Sequence, residues 1–323
     1  MASSMTDKVI ECKACGKYFV ICEGHMYQDP NFRSKKKQIR QKQMKEPKQK
    51  TEPSYSVKLL RSFLAPRTWV VSPDVRKTYQ TLDLRKSKLK TIPANSTLLN
   101  QLQALRLNNN ESLEDVSLIG QLKELRVLVL KSCDVKKFSS TGITESLLLA
   151  LELGNNPNLN DFADIRLLYR LQYLNIGGCQ LRKMPEEVLH LRRLRVLVLD
   201  DNPFEVIVSD FSYLEKLQVL LMKNCNLCEI PSNVFGIQQL KYLSIEQNNI
   251  SMVPSTVVKL VGLEVLNIYG NRGIRISNKT SKCLSLKRIN VDLNFSLKSL
   301  PKKLKKLIKV WTDAPSIWWK QIN

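Results

Sequence analysis

The sequence predicts an α/β solenoid, with a curved parallel sheet on the concave face and short helices and turns on the convex face, in about ten repeats. Three observations carry this. An eleven-residue stretch recurs ten times, most clearly as Leu194-Arg195-Val196-Leu197-Val198-Leu199-Asp200-Asp201-Asn202-Pro203-Phe204. Leucine or a close relative holds its first, fourth and sixth places. The fourth-place residues are Leu82, Leu105, Leu128, Leu151, Leu174, Leu197, Leu220, Leu243, Leu266 and Ile289, each step being 23 residues with no insertion. The ninth place is mostly asparagine, and otherwise small: Ser87, Asn110, Cys133, Asn156, Cys179, Asn202, Cys225, Asn248, Asn271 and Asn294.

A period of this size marks a leucine-rich repeat array. Leucines at places one, four and six point inward, and places three to five form a short strand. Alternate strand side chains face opposite ways, so places three and five look out from the concave surface. No unit buries its apolar side alone; its neighbours supply the walls. At about 4.8 Å per strand the sheet would run on the order of 45 Å. The ninth-place amide turns inward to satisfy backbone groups left unpaired at the turn. A small, weakly polar thiol fits the same slot, which accounts for three of the eight cysteines.

On the outer half, Ile92-Pro93, Met184-Pro185, Ile230-Pro231, Val253-Pro254 and Leu300-Pro301 set proline after an apolar residue. Proline suits the first turn of a short helix. The second, fourth, ninth and tenth repeats carry an extra residue after the ninth place, as in Asn110-Glu111-Ser112-Leu113, which predicts a looser convex side there.

The repeats account for residues 79–310. Ahead of them, Cys12, Cys15, Cys22 and His25 show the spacing C-x2-C-x6-C-x2-H. Three thiolates and an imidazole can grip a structural zinc ion, and binding would order residues 1–32, which otherwise lack a core. Cys12-Lys13-Ala14-Cys15-Gly16-Lys17 resembles the first half of a two-cysteine, two-histidine zinc finger, but no histidine pair follows near Gln28. The alternative is a tail with three free cysteines. Residues 33–53 are a basic flexible linker; of the eighteen residues 33–50, nine are basic, and Lys35 to Lys42 could serve as a nuclear-import patch. Val57, Leu59, Leu60, Phe63 and Leu64, then Trp69-Val70-Val71, make residues 54–78 the expected N-terminal cap. At the other end Leu304, Leu307, Ile308 and Trp311 fall at helical spacing, and residues 311–323, with Ile317, Trp318 and Trp319, are the expected C-terminal cap. The alternative there is a basic amphipathic element that meets a membrane surface or an acidic partner.

The net charge of +22 is unevenly placed: +7 over residues 1–60, +6 over 61–100, zero over 101–277 and +9 over 278–323. Basic ends favour acidic proteins, anionic headgroups or nucleic acid; solubility and blunted sheet edges are the plainer account. No apolar run follows Met1 and no stretch approaches 18 apolar residues, so the expected location is cytoplasmic or nuclear, with reduced thiols.

The register names a partner-binding patch on the concave face: Val127 with Val129, Val196 with Val198, and Val219 with Leu221, flanked by Tyr173 and Tyr242. Apolar anchors within a polar rim are what a protein interface needs at its centre. The repeat core with its apolar-proline step resembles intracellular leucine-rich repeat proteins of the Ras-suppressor and Scribble type. That resemblance implies a curved scaffold or adaptor, here expected to be a monomer, with a protein partner on the concave face. Catalysis is not expected: the two histidines are His25 and His190, and no glycine-rich phosphate loop occurs. The competing class is nucleic-acid association through the zinc-finger-like segment and the basic ends, which would be strongly salt-dependent.

Overall fold

The computed structural model describes residues 8–11, 18–22 and 25–28 and, with gaps at 93–101, 115, 139–146, 206, 208, 293–294 and 297–299, residues 81–310. The linker at 33–53 and the caps expected at 54–78 and 311–323 lie outside the described residues. Strands β1 (Lys8–Glu11), β2 (Tyr18–Cys22) and β3 (His25–Gln28) form an antiparallel sheet in that order.

The repeats build one eleven-stranded sheet. Its strands are β4 (Thr81–Asp83), β5 (Ala104–Arg106), β6 (Val127–Val129), β7 (Ala150–Glu152), β8 (Tyr173–Asn175), β9 (Val196–Val198), β10 (Val219–Leu221) and β11 (Tyr242–Ser244). After the short β12 (Met252–Val253) come β13 (Val265–Asn267), β14 (Arg275–Ile276), β15 (Arg288–Val291) and β16 (Ile308–Val310). Strands β12 and β14 pair with each other on the flank; all the others lie in chain order. From Leu82↔Leu105 to Leu266↔Ile289, every fourth-place residue pairs with the next fourth-place residue, as a fixed period requires. Those ten residues are at most 1% exposed and line one continuous core.

The turn after each strand explains the choice of residue at places eight and nine. The eighth place has positive φ in nine successive repeats, from Lys86 (55°) to Gly270 (77°), by way of Asn109, Asn155 and Asp201. Asparagine, aspartate and glycine tolerate that left-handed conformation best. The reversal swings the ninth-place amide inward, where it ties two repeats together. Asn202 Oδ1 accepts from the backbone N–H of Cys179 (3.0 Å) and Leu181 (3.1 Å) in the preceding repeat. Its Nδ2 donates to the carbonyls of Ile176 (2.9 Å) and Leu199 (2.8 Å). Asn110 and Asn248 bridge in the same way, and Asn271 accepts from one N–H, that of Ile250, while donating to the carbonyls of Ile245 and Ile268.

A cysteine at this place does only part of that work. Cys133, Cys179 and Cys225 donate to Leu107, Leu153 and Leu199 carbonyls at 3.3–3.4 Å. Sulfur is too weak an acceptor to satisfy two backbone N–H groups well. The repeat before each cysteine makes a turn that needs less from it. Leu113, Leu159 and Phe204 donate back to the carbonyls of Asn110, Asn156 and Asn202, and prolines 157 and 203 remove an N–H altogether. The extra residue in repeats two and four is part of this device. It does not loosen the convex side, because short 3-10 helices still form at Ser117–Gln121 and Ala163–Leu167. The repeat prolines Pro185, Pro231 and Pro254 stand immediately before such helices, where the fixed φ sets the chain's entry.

The last step departs from the helical spacing expected after Pro301. The α-helix stops at Leu307, and Ile308 begins β16, paired with β15 only 19 residues after Ile289. An open sheet edge at β15 offers a ladder of backbone groups, and pairing with it outweighs the local helical pattern at Ile308.

Replacing Asn202 with alanine orphans two buried N–H groups and removes a donor from the carbonyls of Ile176 and Leu199, the latter keeping the Cys225 thiol. We expect it to cost about 3 kcal/mol, from the ~1–3 kcal/mol typical of a buried polar group left unsatisfied, read as a lower midpoint in urea denaturation. An unchanged midpoint would show that the ladder is not the tie between repeats.

Candidate functional site

Strands β5 to β13 bring together every concave residue named from the register. Val127, Val129, Tyr173, Val196, Val198, Val219, Leu221 and Tyr242 join Ala104, Ala150 and Val265 in one apolar cluster, separate from the interior core. The period-2 alternation of a strand puts them there: leucine at place four goes in, places three and five go out. The strip is closed to solvent. Tyr173 is 0% exposed, Tyr242 2%, and Val198 and Leu221 each 1%.

Polar groups are built into the same surface. Glu152, at the fifth place on β7, is buried; its Oε2 accepts from Tyr173 Oη at 3.1 Å and its Oε1 from the Gly154 N–H at 3.3 Å. One repeat on, Asn175 Oδ1 accepts from the Gly177 N–H at 2.8 Å. Glycine at these two seventh places is a steric need. A Cβ on Gly154 would lie 2.9 Å from Glu152 Oε1, and one on Gly177 would lie 2.8 Å from the Asp200 carbonyl. Towards β15 the fifth place turns polar. Asn267 Nδ2 donates to Ser244 Oγ (3.3 Å) and Glu246 Oε2 (2.6 Å). Asn290 is 0% exposed, and neither its Nδ2 nor its Oδ1 has a hydrogen-bond partner among the described residues.

Burial governs the electrostatics. It pushes the Glu152 carboxyl above the ordinary carboxylate range, against Lys131 and the hydrogen bonds from Asn175, Tyr173 and Gly154. Burial, then the Glu152 charge, hold the Tyr173 phenol well above its usual value. Asp200, at the seventh place of β9's repeat, is pushed up to about 7 by burial, with Glu246 and Asp201 adding to it and the Lys223 N–H opposing it. The ladder thiols follow the same rule: burial raises Cys133 and Cys179 to about 11, so they stay protonated packing groups. The Glu152–Tyr173 pair was not singled out from the sequence. The available signal was the paired glycines at 154 and 177, where the other seventh places carry side chains.

The zinc ligands expected in the first 32 residues are only partly in view. Backbone pairing sets Cys22 opposite His25 across the turn from β2 to β3. Cys12 and Cys15 lie outside the described residues. Among the described residues no group of three or more metal-ligating side chains occurs. His190 closes a convex 3-10 helix, away from the concave strip. Cys225 is buried and Cys228 exposed.

No protein-family model matches the chain, and no curated protein matches it. Among solved structures it is similar to a leucine-rich repeat protein of Leptospira interrogans, with 23% identity over 73% of this chain and 72% of that one and a TM-score of 0.50. It is also similar to the internalin InlF of Listeria monocytogenes, with 19% identity over 82% of this chain and 96% of that one and a TM-score of 0.41. The chain has the leucine-rich repeat fold. At these identities the likeness is one of fold, and the concave residues of this leucine-rich repeat array speak for themselves.

Two outcomes follow. Asp200, pushed up to about 7, keeps a proton in the folded chain where the unfolded chain, near the ordinary 3.8, has lost it, and burial shifts Glu152 in the same direction. The folded state therefore binds more protons between about pH 4 and 7, and stability falls as pH rises through that window. Urea midpoints should drop from pH 5 to pH 7.5, and Glu152→Gln with Asp200→Asn should flatten the drop; an equal slope in the variant refutes the assignment. Separately, zinc held by Cys12, Cys15, Cys22 and His25 would give one metal per chain by elemental mass spectrometry, lost in Cys12→Ser; metal-free protein rules it out.

Proposed function

We propose that this protein is a non-enzymatic scaffold or adaptor that takes a protein partner on the concave strip centred on β8 to β10. The observation that supports the reading is the apolar strip itself. Fifth-place residues of a leucine-rich repeat are free to be polar, since they stand outside the interior core. Here Val129, Val198 and Leu221 are aliphatic, and they join third-place Val127, Val196 and Val219 in a patch flanked by Tyr173 and Tyr242. Desolvated aliphatic and aromatic anchors supply most of an interface's energy. The resemblance of the repeat core to Ras-suppressor and Scribble-type proteins points the same way, towards an intracellular adaptor.

The uneven charge favours a second reading. With +7 over residues 1–60 and +9 over 278–323, the ends suit nucleic-acid phosphates, and the neutral middle does not. A nuclear as well as cytoplasmic location fits either reading. No helix among the described residues is long and apolar enough to cross a membrane.

Affinity purification from cells tests both readings together. Val198→Asp with Leu221→Asp should remove the protein partners retained by the intact chain, at least tenfold by quantitative mass spectrometry, while circular dichroism stays unchanged. Partners that survive these substitutions but are lost on nuclease treatment or at moderate salt would instead support the nucleic-acid reading.

A further inference from the structure

We propose that the convex wall of the last repeats, from Lys259 to Lys306, lies against an anionic lipid surface, with the side chains of Val261 and Leu284 entering its headgroup layer. This wall is a different face from the concave strip, and its partner is independent of what docks there.

Three observations carry it. The first is a pair of aliphatic side chains left in water. Leu284 is 88% exposed and Val261 63%. They are 23 residues apart, so the repeat sets them side by side, and the Ser285 hydroxyl donates to the Val261 carbonyl at 2.7 Å across the two turns. The matching positions in the three preceding repeats are Arg192, Glu215 and Gln238, so the fold asks for no apolar residue there. A single exposed leucine needs no explanation, but here two aliphatics abut on one rim.

The second is the charge around them. Residues 251–310 hold thirteen lysines and arginines against two acids, Glu264 and Asp292. Leu260 and Cys283 turn inward and are buried, so the residues on either side, Lys259 with Val261 and Lys282 with Leu284, turn outward together. The α-helix Lys302–Leu307 stacks on the 3-10 helix Asn278–Lys282, where Lys303 Nζ donates to the Ser281 carbonyl at 2.6 Å. Its Leu304 is buried in the core, and its lysines are exposed. Lys287 is paired with Glu264 at 2.7 Å. Lys259, Lys279, Lys282, Lys302, Lys305 and Lys306 are exposed and have no acidic partner among the described residues.

The third is the chemistry of the set. Protein interfaces favour aromatic residues and arginine and are poor in lysine, and surfaces that hold single-stranded nucleic acid stack its bases on aromatic rings. The exposed cations of Asn278–Lys282 and Lys302–Leu307 are all lysines, and the exposed apolar groups beside them are aliphatic. An anionic bilayer fits both: its surface potential attracts each ammonium group, and its interfacial layer accepts the alkyl groups. Lysine stems can lie along that layer while their heads stay among the phosphates.

The test is co-sedimentation of the full chain with vesicles of phosphatidylcholine and phosphatidylserine in equal parts, against vesicles of phosphatidylcholine alone, at physiological salt. Binding to the anionic vesicles only is expected. Val261→Asp with Leu284→Asp should weaken it by about tenfold or more, and so should Lys282→Glu with Lys306→Glu, since each cation near such a surface contributes about fivefold. Circular dichroism should not change, because all four side chains are exposed. Tyr213, 56% exposed on a 3-10 helix in the neutral middle of the array, is the control, and Tyr213→Asp should leave binding unchanged. Vesicle binding indifferent to both pairs of substitutions, as attachment through residues 33–53 alone would be, overturns the proposal. So do equal binding to neutral vesicles, no binding to either kind, a loss in Tyr213→Asp as large as in the Val261 and Leu284 pair, or retention of RNA in place of vesicles.

Discussion

The structure depends on the inward amide at the ninth place of each repeat. Packing leucines against leucines gives cohesion but no direction, since apolar contact is satisfied by many offsets. The asparagine bridge is directional. One side chain accepts from two N–H groups of the preceding repeat and donates to one carbonyl in each of two repeats, as Asn202 does with Cys179, Leu181, Ile176 and Leu199. A repeat displaced by one residue would lose all four bonds in a buried site. The fixed 23-residue offset of the repeat strand pairs, from β4 to β15, is the visible result. The cysteine repeats show the same constraint from the other side. Where sulfur replaces the amide, the preceding turn has been rebuilt to satisfy its own N–H groups.

That bridge also frees the concave face. Because register is held at the turns and cohesion by places one, four and six, places three and five are not needed for either. Yet in this chain they are aliphatic or aromatic through the centre of the sheet and form a second apolar layer, parallel to the first and separated from it by the strands. Two layers of apolar side chains on a single sheet need covers on both sides. The interior layer has the convex loops. The outer layer is the surface on which we propose that a partner protein docks. Glu152, Asn175 and Asn290 set buried polar groups beside that layer.

Much of this was legible in the residues. A period of 23, leucine at three places and asparagine at a fourth specify the fold, the sheet order and the inward and outward rows, because strand alternation leaves no freedom once one leucine is placed. The eight concave residues could be named for the same reason. What escaped were features set by neighbours in space. The helical spacing of Leu304, Leu307 and Ile308 gave way at Ile308 to pairing with β15. The extra residues after Asn110 and Asn156 serve the cysteines that follow 21 or more positions later. The hydrogen bond from Tyr173 to Glu152 joins residues 21 apart that only stacking brings together.

The sequence alone determined the repeat, its register and which side chains face in or out, since these follow from local periodicity and the geometry of a strand. The tertiary structure decided the rest. It made Tyr173 and Glu152 partners, weakened Glu152 and Asp200 as acids by taking them out of water, buried the concave strip and added β16 at a shortened step. The physical reason is that burial and pairing are properties of what surrounds a group, and a solenoid gathers those surroundings from repeats that are neighbours only after stacking.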